Sequence, residues 1–212
     1  MARGNKYILA IDLGTSGPKT ALISVYGEVV DSEFKDTPII LFPDGGAEQD
    51  PQVWWDAIMS TAKKVIGKNL VSPDDIVAVS VTSQWSGTVA VDEQGNHLMN
   101  GIIWMDCQGS ESVKEILRGP FKIQGYPLFK LMTWQKLTGG APAQSGKDPL
   151  CHILWIKQNQ PDIYDKTYKF LEPKDYINLC FTGKFAATFD SILLHWVTDN
   201  RDSSHIVYNA KL

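Results

Sequence analysis

The chain has 212 residues, 43% hydrophobic and 21% charged, with a formal net charge of −4. That composition supports a folded domain with a substantial apolar core and excludes a disordered, collagen-like or coiled-coil chain. The acidic balance disfavours nucleic acid as the main partner, and no apolar run is long enough to cross a bilayer.

Residues 7–11 are a short apolar run rich in branched side chains and predict a buried strand. A second strand is predicted over 20–25, a turn at Gly27, and a third, loosely alternating strand over 29–37. Two hairpins at the start give an antiparallel opening, unlike the parallel unit of a dinucleotide fold. Asp50 is a good N-cap and Pro51 suits the first helical position. Trp54, Ile58, Ala62 and Val65 then recur at helical spacing until Gly67. A strand is predicted over 76–82. A hairpin follows, with Thr88 to Val91 on one arm, a turn at 92–96, and Leu98 on the other. Residues 102–104 are short and apolar. A helix is predicted over 110–117, a loop-rich stretch over 119–147, a helix over 150–157 behind Asp148-Pro149, and a short helical segment from Pro161. A brief strand over 169–171 and a helix from Pro173 to Gly183 complete the pattern. Strands, a helix, more strands and then helices make a mixed-sheet α/β domain.

Residues 1–6 show no apolar leader or small-residue cleavage site. Cys107, Cys151 and Cys180 are odd in number and have no metal spacing, so reduced thiols and a cytoplasmic location are expected.

The segment Asp12-Leu13-Gly14-Thr15-Ser16-Gly17-Pro18-Lys19 carries the most chemistry. A carboxylate ends a buried strand, a small flexible turn follows, and then a lysine. Asp12 can anchor Mg²⁺, which favours carboxylate oxygen. Gly14 and Gly17 permit a tight turn whose N–H groups face an anion. Thr15 and Ser16 add hydroxyls, and Lys19 adds a point charge. Phosphoryl transfer needs this kind of positioning and charge neutralisation. A plain hairpin turn with local side-chain bonds is the competing reading. The spacing of a P-loop is absent.

Three further segments follow in order. They are Gly46-Ala47-Glu48-Gln49-Asp50-Pro51 with Trp54-Trp55, Gln84-Trp85-Ser86-Gly87 leading to Trp104-Met105-Asp106, and Leu154-Trp155-Ile156-Lys157 leading to Pro173-Lys174-Asp175-Tyr176 and Thr182-Gly183. Together with the opening turn they resemble the N-terminal domain of the FGGY carbohydrate kinases, and within that family its xylulokinase-like members. The resemblance covers nearly the whole chain. It implies a ribonuclease-H-like fold of the actin/Hsp70/sugar-kinase superfamily, its sheet opening on antiparallel hairpins and flanked by helices.

It also implies roles. Asp12 would lie near magnesium and the transferred phosphate, with Thr15 and Lys19 in the same loop and Gly14, Ser16 and Gly17 against the phosphates. Gln84, Trp85, Ser86, Trp104 and Asp106 would face the sugar. Xylulokinases carry Gln-Met-His-Gly where this chain has Gln84-Trp85-Ser86-Gly87. An arginine that commonly follows the aspartate of Trp-x-Asp is Gln108 here. A tryptophan face can stack on a sugar and a serine can hydrogen-bond it, so carbohydrate binding with an altered substrate is expected.

The family's general base and its C-terminal ATP-binding domain have no counterpart in residues 1–212. The chain is therefore expected to be an N-terminal substrate-binding part, inactive alone. The intact enzyme would use ATP and Mg²⁺ to phosphorylate a sugar or polyol, with the C-terminal kinase domain as its partner and a homodimer as a conceivable assembly. The alternative is a non-catalytic sugar- or partner-binding module derived from a kinase half.

The remaining conspicuous residues have structural readings. Trp54 and Trp55 are expected to pack a helix on the sheet, and Glu48 and Asp50 to be loop and cap residues. Asp175 is a first-turn carboxylate. The four histidines, without metal spacing, are expected to be structural or on the surface. Residues 192–194, beside Trp196, are expected to be buried or to cover a face toward further sequence, and 198–202 to form a polar loop.

Overall fold

A computed structural model describes residues 6–212; the leaderless start predicted for the N-terminus falls almost wholly outside them. The first half contains β1 (Tyr7–Gly14), β2 (Gly17–Ser24), β3 (Val29–Phe34), β4 (Ile40–Leu41), β5 (Ala47–Gln49), α1 (Pro51–Gly67), β6 (Ile76–Ser83), β7 (Val89–Val91) and β8 (Gly101–Ile102). The second half contains α2 (Ser110–Ile116), β9 (Lys122–Ile123), β10 (Tyr126–Pro127), α3 (Leu128–Thr138), α4 (Pro149–Asn159) and α5 (Pro161–Lys166). It closes with β11 (Lys169–Leu171), α6 (Pro173–Thr182), α7 (Phe189–Leu193), β12 (Thr198–Asp199) and β13 (Val207–Tyr208).

The main sheet has the order β3-β2-β1-β6, antiparallel except that β6 runs parallel to β1. This is the mixed sheet with an antiparallel opening that the sequence predicts. Strand alternation sorts its faces. Leu9, Ile11 and Leu13 are buried on one side, while Asp12 is exposed on the other. On the buried side lies α1. Trp54 and Ile58 pack with Ile11 and Leu13, and Ala62 and Val65 pack with Leu9 and Leu22. Between them the hydroxyls of Thr20 and Thr61 meet at 2.8 Å, so both buried polar groups are satisfied. The predicted cap is present: the Asp50 carboxylate accepts from the Gln52 N–H at 2.8 Å.

Several expectations need correction. The stretch 119–147 is not simply loop, because it holds the β9–β10 hairpin and α3. Apolar residues ring α3 rather than forming a stripe: Trp134 and Leu137 are buried, while Phe129 and Met132 are exposed. The helical period is therefore masked. Glu48 is not a loop residue but the buried centre of β5, between β4 and β8. The arm at 88–98 does turn back, with Leu98 N–H bonding Ala90 O at 2.9 Å, but the ladder partner of β7 is the distant β11. Residues 198–202 are only partly a polar loop, since Thr198 and Asp199 pair with β13. Ile192, Leu193 and Leu194 are half-buried rather than buried. The structural reading of His152 holds. It is fully enclosed, 3.0 Å from the Thr88 hydroxyl, and burial pushes its imidazole down to about 3.

Glu172 stands at the head of α6. It is buried, one of its oxygens has no partner among the described residues, and burial, aided by Asp175, pushes its carboxyl up to about 8. A carboxyl raised above its ordinary 4.5 favours the folded state while protonated. That contribution is complete below about pH 4.5 and is lost as pH rises toward 8. Glu172→Gln is expected to flatten the resulting decline in melting temperature, each kcal/mol being worth roughly 2–4 °C at this chain length. Thermal melts across pH check this, and a wild-type melting temperature constant over that range would overturn it.

Candidate active site

The β1–β2 connection is a two-residue hairpin. Gly14 pairs with Gly17, and Thr15 and Ser16 form the tip. Asp12 and Lys19 lie directly opposite each other on the exposed face, with Thr82 of β6 on the other side of Asp12. The two glycines differ. Gly17 has φ +139°, and a Cβ there would fall 2.1 Å from the Lys35 carbonyl oxygen. Only glycine meets both conditions. Gly14 has an ordinary φ, and a Cβ there would sit in normal contact. The residues after β3 strap this tip down: Lys35 N–H bonds Pro18 O at 3.2 Å and Thr37 N–H bonds Ser16 O at 3.0 Å.

Gln49, wholly buried, ties the hairpin to the interior. Its amide nitrogen donates to Thr15 O at 2.9 Å. Its amide oxygen accepts from Trp54 Nε1 at 3.2 Å and from Gln84 Nε2 at 2.8 Å. Sequence reasoning missed this residue. An amide that bridges sequence-distant segments leaves no local pattern.

Beside the hairpin is a cleft of about 570 Å³, lined by Thr15, Gln84, Trp85, Ser86, Trp104 and Lys147 among others. Trp104 Nε1 donates to Thr15 Oγ1 at 2.9 Å. The threonine oxygen is thereby an acceptor, and its own O–H is free to donate outward. Trp85 is 64% exposed and Trp104 43%, so both indoles present surface to the cleft. Ser86 sits at φ +60°, uncommon for a residue with a side chain, and its hydroxyl donates to Lys147 O at 2.8 Å. That bond staples the β6–β7 turn to the loop before α4.

Four of the five residues expected at the sugar line this cleft, but not equally. Gln84, Trp85 and Trp104 line the cleft, whereas the Ser86 hydroxyl is spent on a backbone carbonyl. Asp106 lies behind the wall, 1% exposed. Its carboxylate accepts from Ala47 N–H and Gln108 N–H, both at 2.9 Å. Burial, with a smaller push from Glu48 and Asp44, raises it to about 6 against those two bonds. Gln108, where the resemblance leads one to expect an arginine, donates its amide N–H to Asp44 at 2.8 Å. Lys147 and Asp148 join the site without any signal in the sequence beyond a helix start. Asp148 accepts from Ala143 N–H at 2.6 Å and from Trp196 Nε1 at 2.8 Å, which fixes the loop carrying Lys147.

A mixed sheet with this hairpin and this cleft is the ribonuclease-H-like domain of the actin/Hsp70/sugar-kinase class. The crystal structure of gluconate kinase from Lactobacillus acidophilus superposes with a TM-score of 0.79 at 24% identity, covering 97% of this chain and 38% of that one. The chain belongs to the FGGY family of carbohydrate kinases, whose N-terminal-domain model matches residues 7–199. It is 30% identical over 194 residues to the xylulose kinase of Bacillus subtilis (strain 168), covering 90% of this chain and 36% of that protein. It is 29% identical over 177 residues to the xylulose kinase of Staphylococcus xylosus, covering 84% and 34%. The chain therefore spans about a third of the length of these relatives. Among the described residues, no helix is long and apolar enough to cross a membrane, and all three cysteines are free.

Removing the Asp106 carboxylate strands two backbone donors. Asp106→Ala is expected to cost about 1–3 kcal/mol for each buried N–H left without an acceptor. Urea unfolding measures this, and a loss below the error of the fit would show that the carboxylate does not hold the wall.

Proposed function

We propose that the intact protein transfers the γ-phosphoryl group of ATP to a hydroxyl of a sugar or polyol, and that this chain supplies the acceptor cleft and the first phosphate loop. The observation that carries this reading is the Thr15–Trp104 bond. It joins the tip of a hairpin bearing an opposed Asp12 and Lys19 to a cleft walled by two indoles and an amide. The xylulose kinases among its relatives support the same chemistry.

Within this reading each residue has a task. Trp85 and Trp104 stack on the C–H faces of the acceptor, and Gln84, anchored by Gln49, hydrogen-bonds it. Thr15, Ser16 and the turn residues Gly14 and Gly17 offer donors to phosphate oxygens, and Lys19 offsets their charge. Asp106 serves as a positioning residue behind Trp104.

Mg²⁺ fits the donor set at Asp12. The carboxylate is exposed at the end of a rigid strand, and Mg²⁺ is commonly bound through one or two carboxylates together with substrate phosphates and water. Among the described residues no cluster of three or more His, Cys, Asp or Glu could hold a metal, so phosphate oxygens and water would complete the coordination. When bound, the ion neutralises charge on the transferring group. The general base and the adenine pocket belong, in this reading, to sequence beyond these residues, and domain closure assembles the site.

Asp12→Asn in the full-length protein is expected to lower kcat by roughly 100-fold or more, with acceptor affinity preserved. A coupled ADP-release assay and a separate acceptor titration check this. Full activity in the folded variant would reject the role given to Asp12.

A further inference from the structure

The cleft contains one cationic group, and the proposed transfer does not use it. Among the described residues Lys147 is the single basic residue lining it, is half-buried, and holds its ammonium 5.8 Å from the centre of the Trp104 ring. Among those residues Lys147 forms no ion pair. The carboxylate that also lines the cleft is its neighbour Asp148, and that is turned away onto Ala143 N–H and Trp196 Nε1.

The backbone that carries the lysine is held in place. Gly146 has φ +76°, and a Cβ there would lie 2.3 Å from the Ser110 nitrogen, so this turn is packed directly on the backbone at the start of α2. The Lys147 carbonyl is pinned by the Ser86 hydroxyl. An ammonium beside an indole gains at most a modest cation–π attraction, which does not replace the water it sheds when a ligand fills the cleft. An anion on the ligand does.

The geometry points to a polyhydroxylated carboxylate, an aldonate, as the acceptor class, its carboxylate paired with Lys147 and its carbon chain stacked between Trp85 and Trp104. One ammonium matches one monoanionic carboxylate, whereas a phosphate dianion calls for further donors. A neutral ketose leaves the charge unmatched in a filled cleft. This inference rests on the carbohydrate-kinase reading of the same cleft.

Tryptophan fluorescence and calorimetric titrations of the full-length protein test it, using D-gluconate, D-glucitol and D-xylulose at fixed ionic strength. Gluconate and glucitol differ only at the terminal carbon. Gluconate is expected to bind about 10-fold or more tightly than glucitol, as a charge-assisted hydrogen bond allows. Lys147→Met is expected to bring gluconate down to the level of glucitol, and Lys147→Arg to retain the preference. Equal affinity for charged and neutral ligands, or an equal loss for both in Lys147→Met, overturns the inference and leaves the carbohydrate site standing. A Lys147→Met variant that loses ATP affinity but keeps the gluconate preference also overturns it, by assigning the ammonium to the nucleotide. Binding of none of the three ligands removes the carbohydrate reading as well.

Discussion

The buried amide of Gln49 is the constraint on which the site depends. A primary amide removed from water has to find partners for both ends, because each unmet donor or acceptor costs as much as a lost hydrogen bond or more. Here its partners come from four places at once: the carbonyl of Thr15 at the hairpin tip, Thr37 and Pro38 in the strap after β3, the indole of Trp54 in the core helix, and the amide of Gln84 at the end of β6. Satisfying one side chain therefore sets the hairpin and the cleft in a single relative position. Trp54 in turn belongs to the largest apolar cluster, so the placement is as rigid as the core itself.

Around that fixed point the wall of the cleft is made of committed polar groups. Asp106 holds Ala47 and Gln108, Asp148 holds Ala143 and Trp196, and Ser86 holds the carbonyl of Lys147. Carboxylates and hydroxyls that could have faced a ligand are consumed in shaping the surface. The indoles, the Gln84 amide oxygen (unpartnered among the described residues) and one ammonium remain. Gln108 bonds Asp44, while Lys147 brings a positive charge from another loop. Stacking faces and a single charge give a cleft different chemistry from a ring of neutral donors.

The hairpin has the geometry of a plain turn and also leaves room for the proposed phosphate role. In backbone terms it is a plain two-residue β-turn, and it also carries Asp12 and Lys19 opposite each other on an exposed face. The two readings do not compete, because the charge is presented by the strands that flank the turn, not by the turn itself. Period-two alternation buries Ile11 and Leu13 on one face of β1 and leaves Asp12 on the other.

Much of the fold was legible. The alternation of β1, the Asp50-Pro51 start of α1 and its apolar spacing are local signals, and local signals survive in a single chain. The ordered segments from Asp12 to Gly183 were also enough to point to the family. What could not be read was set by contacts between distant residues. The partner of β7 is β11, far along the chain, and α3 shows no stripe because its exposed Phe129 and Met132 match its buried Trp134 and Leu137 in character. The same divide runs through the site. Residue types in order were sufficient to nominate Asp12, Lys19, Gln84, Trp85 and Trp104. Only the folded chain could show that Asp106 and Ser86 are spent on backbone groups, that Gln49 joins the two halves, and that Lys147 stands over Trp104 with no ion pair among the described residues. A side chain's chemistry is written in its identity, but whether that chemistry is free depends on which buried donors and acceptors tertiary packing brings within hydrogen-bond reach.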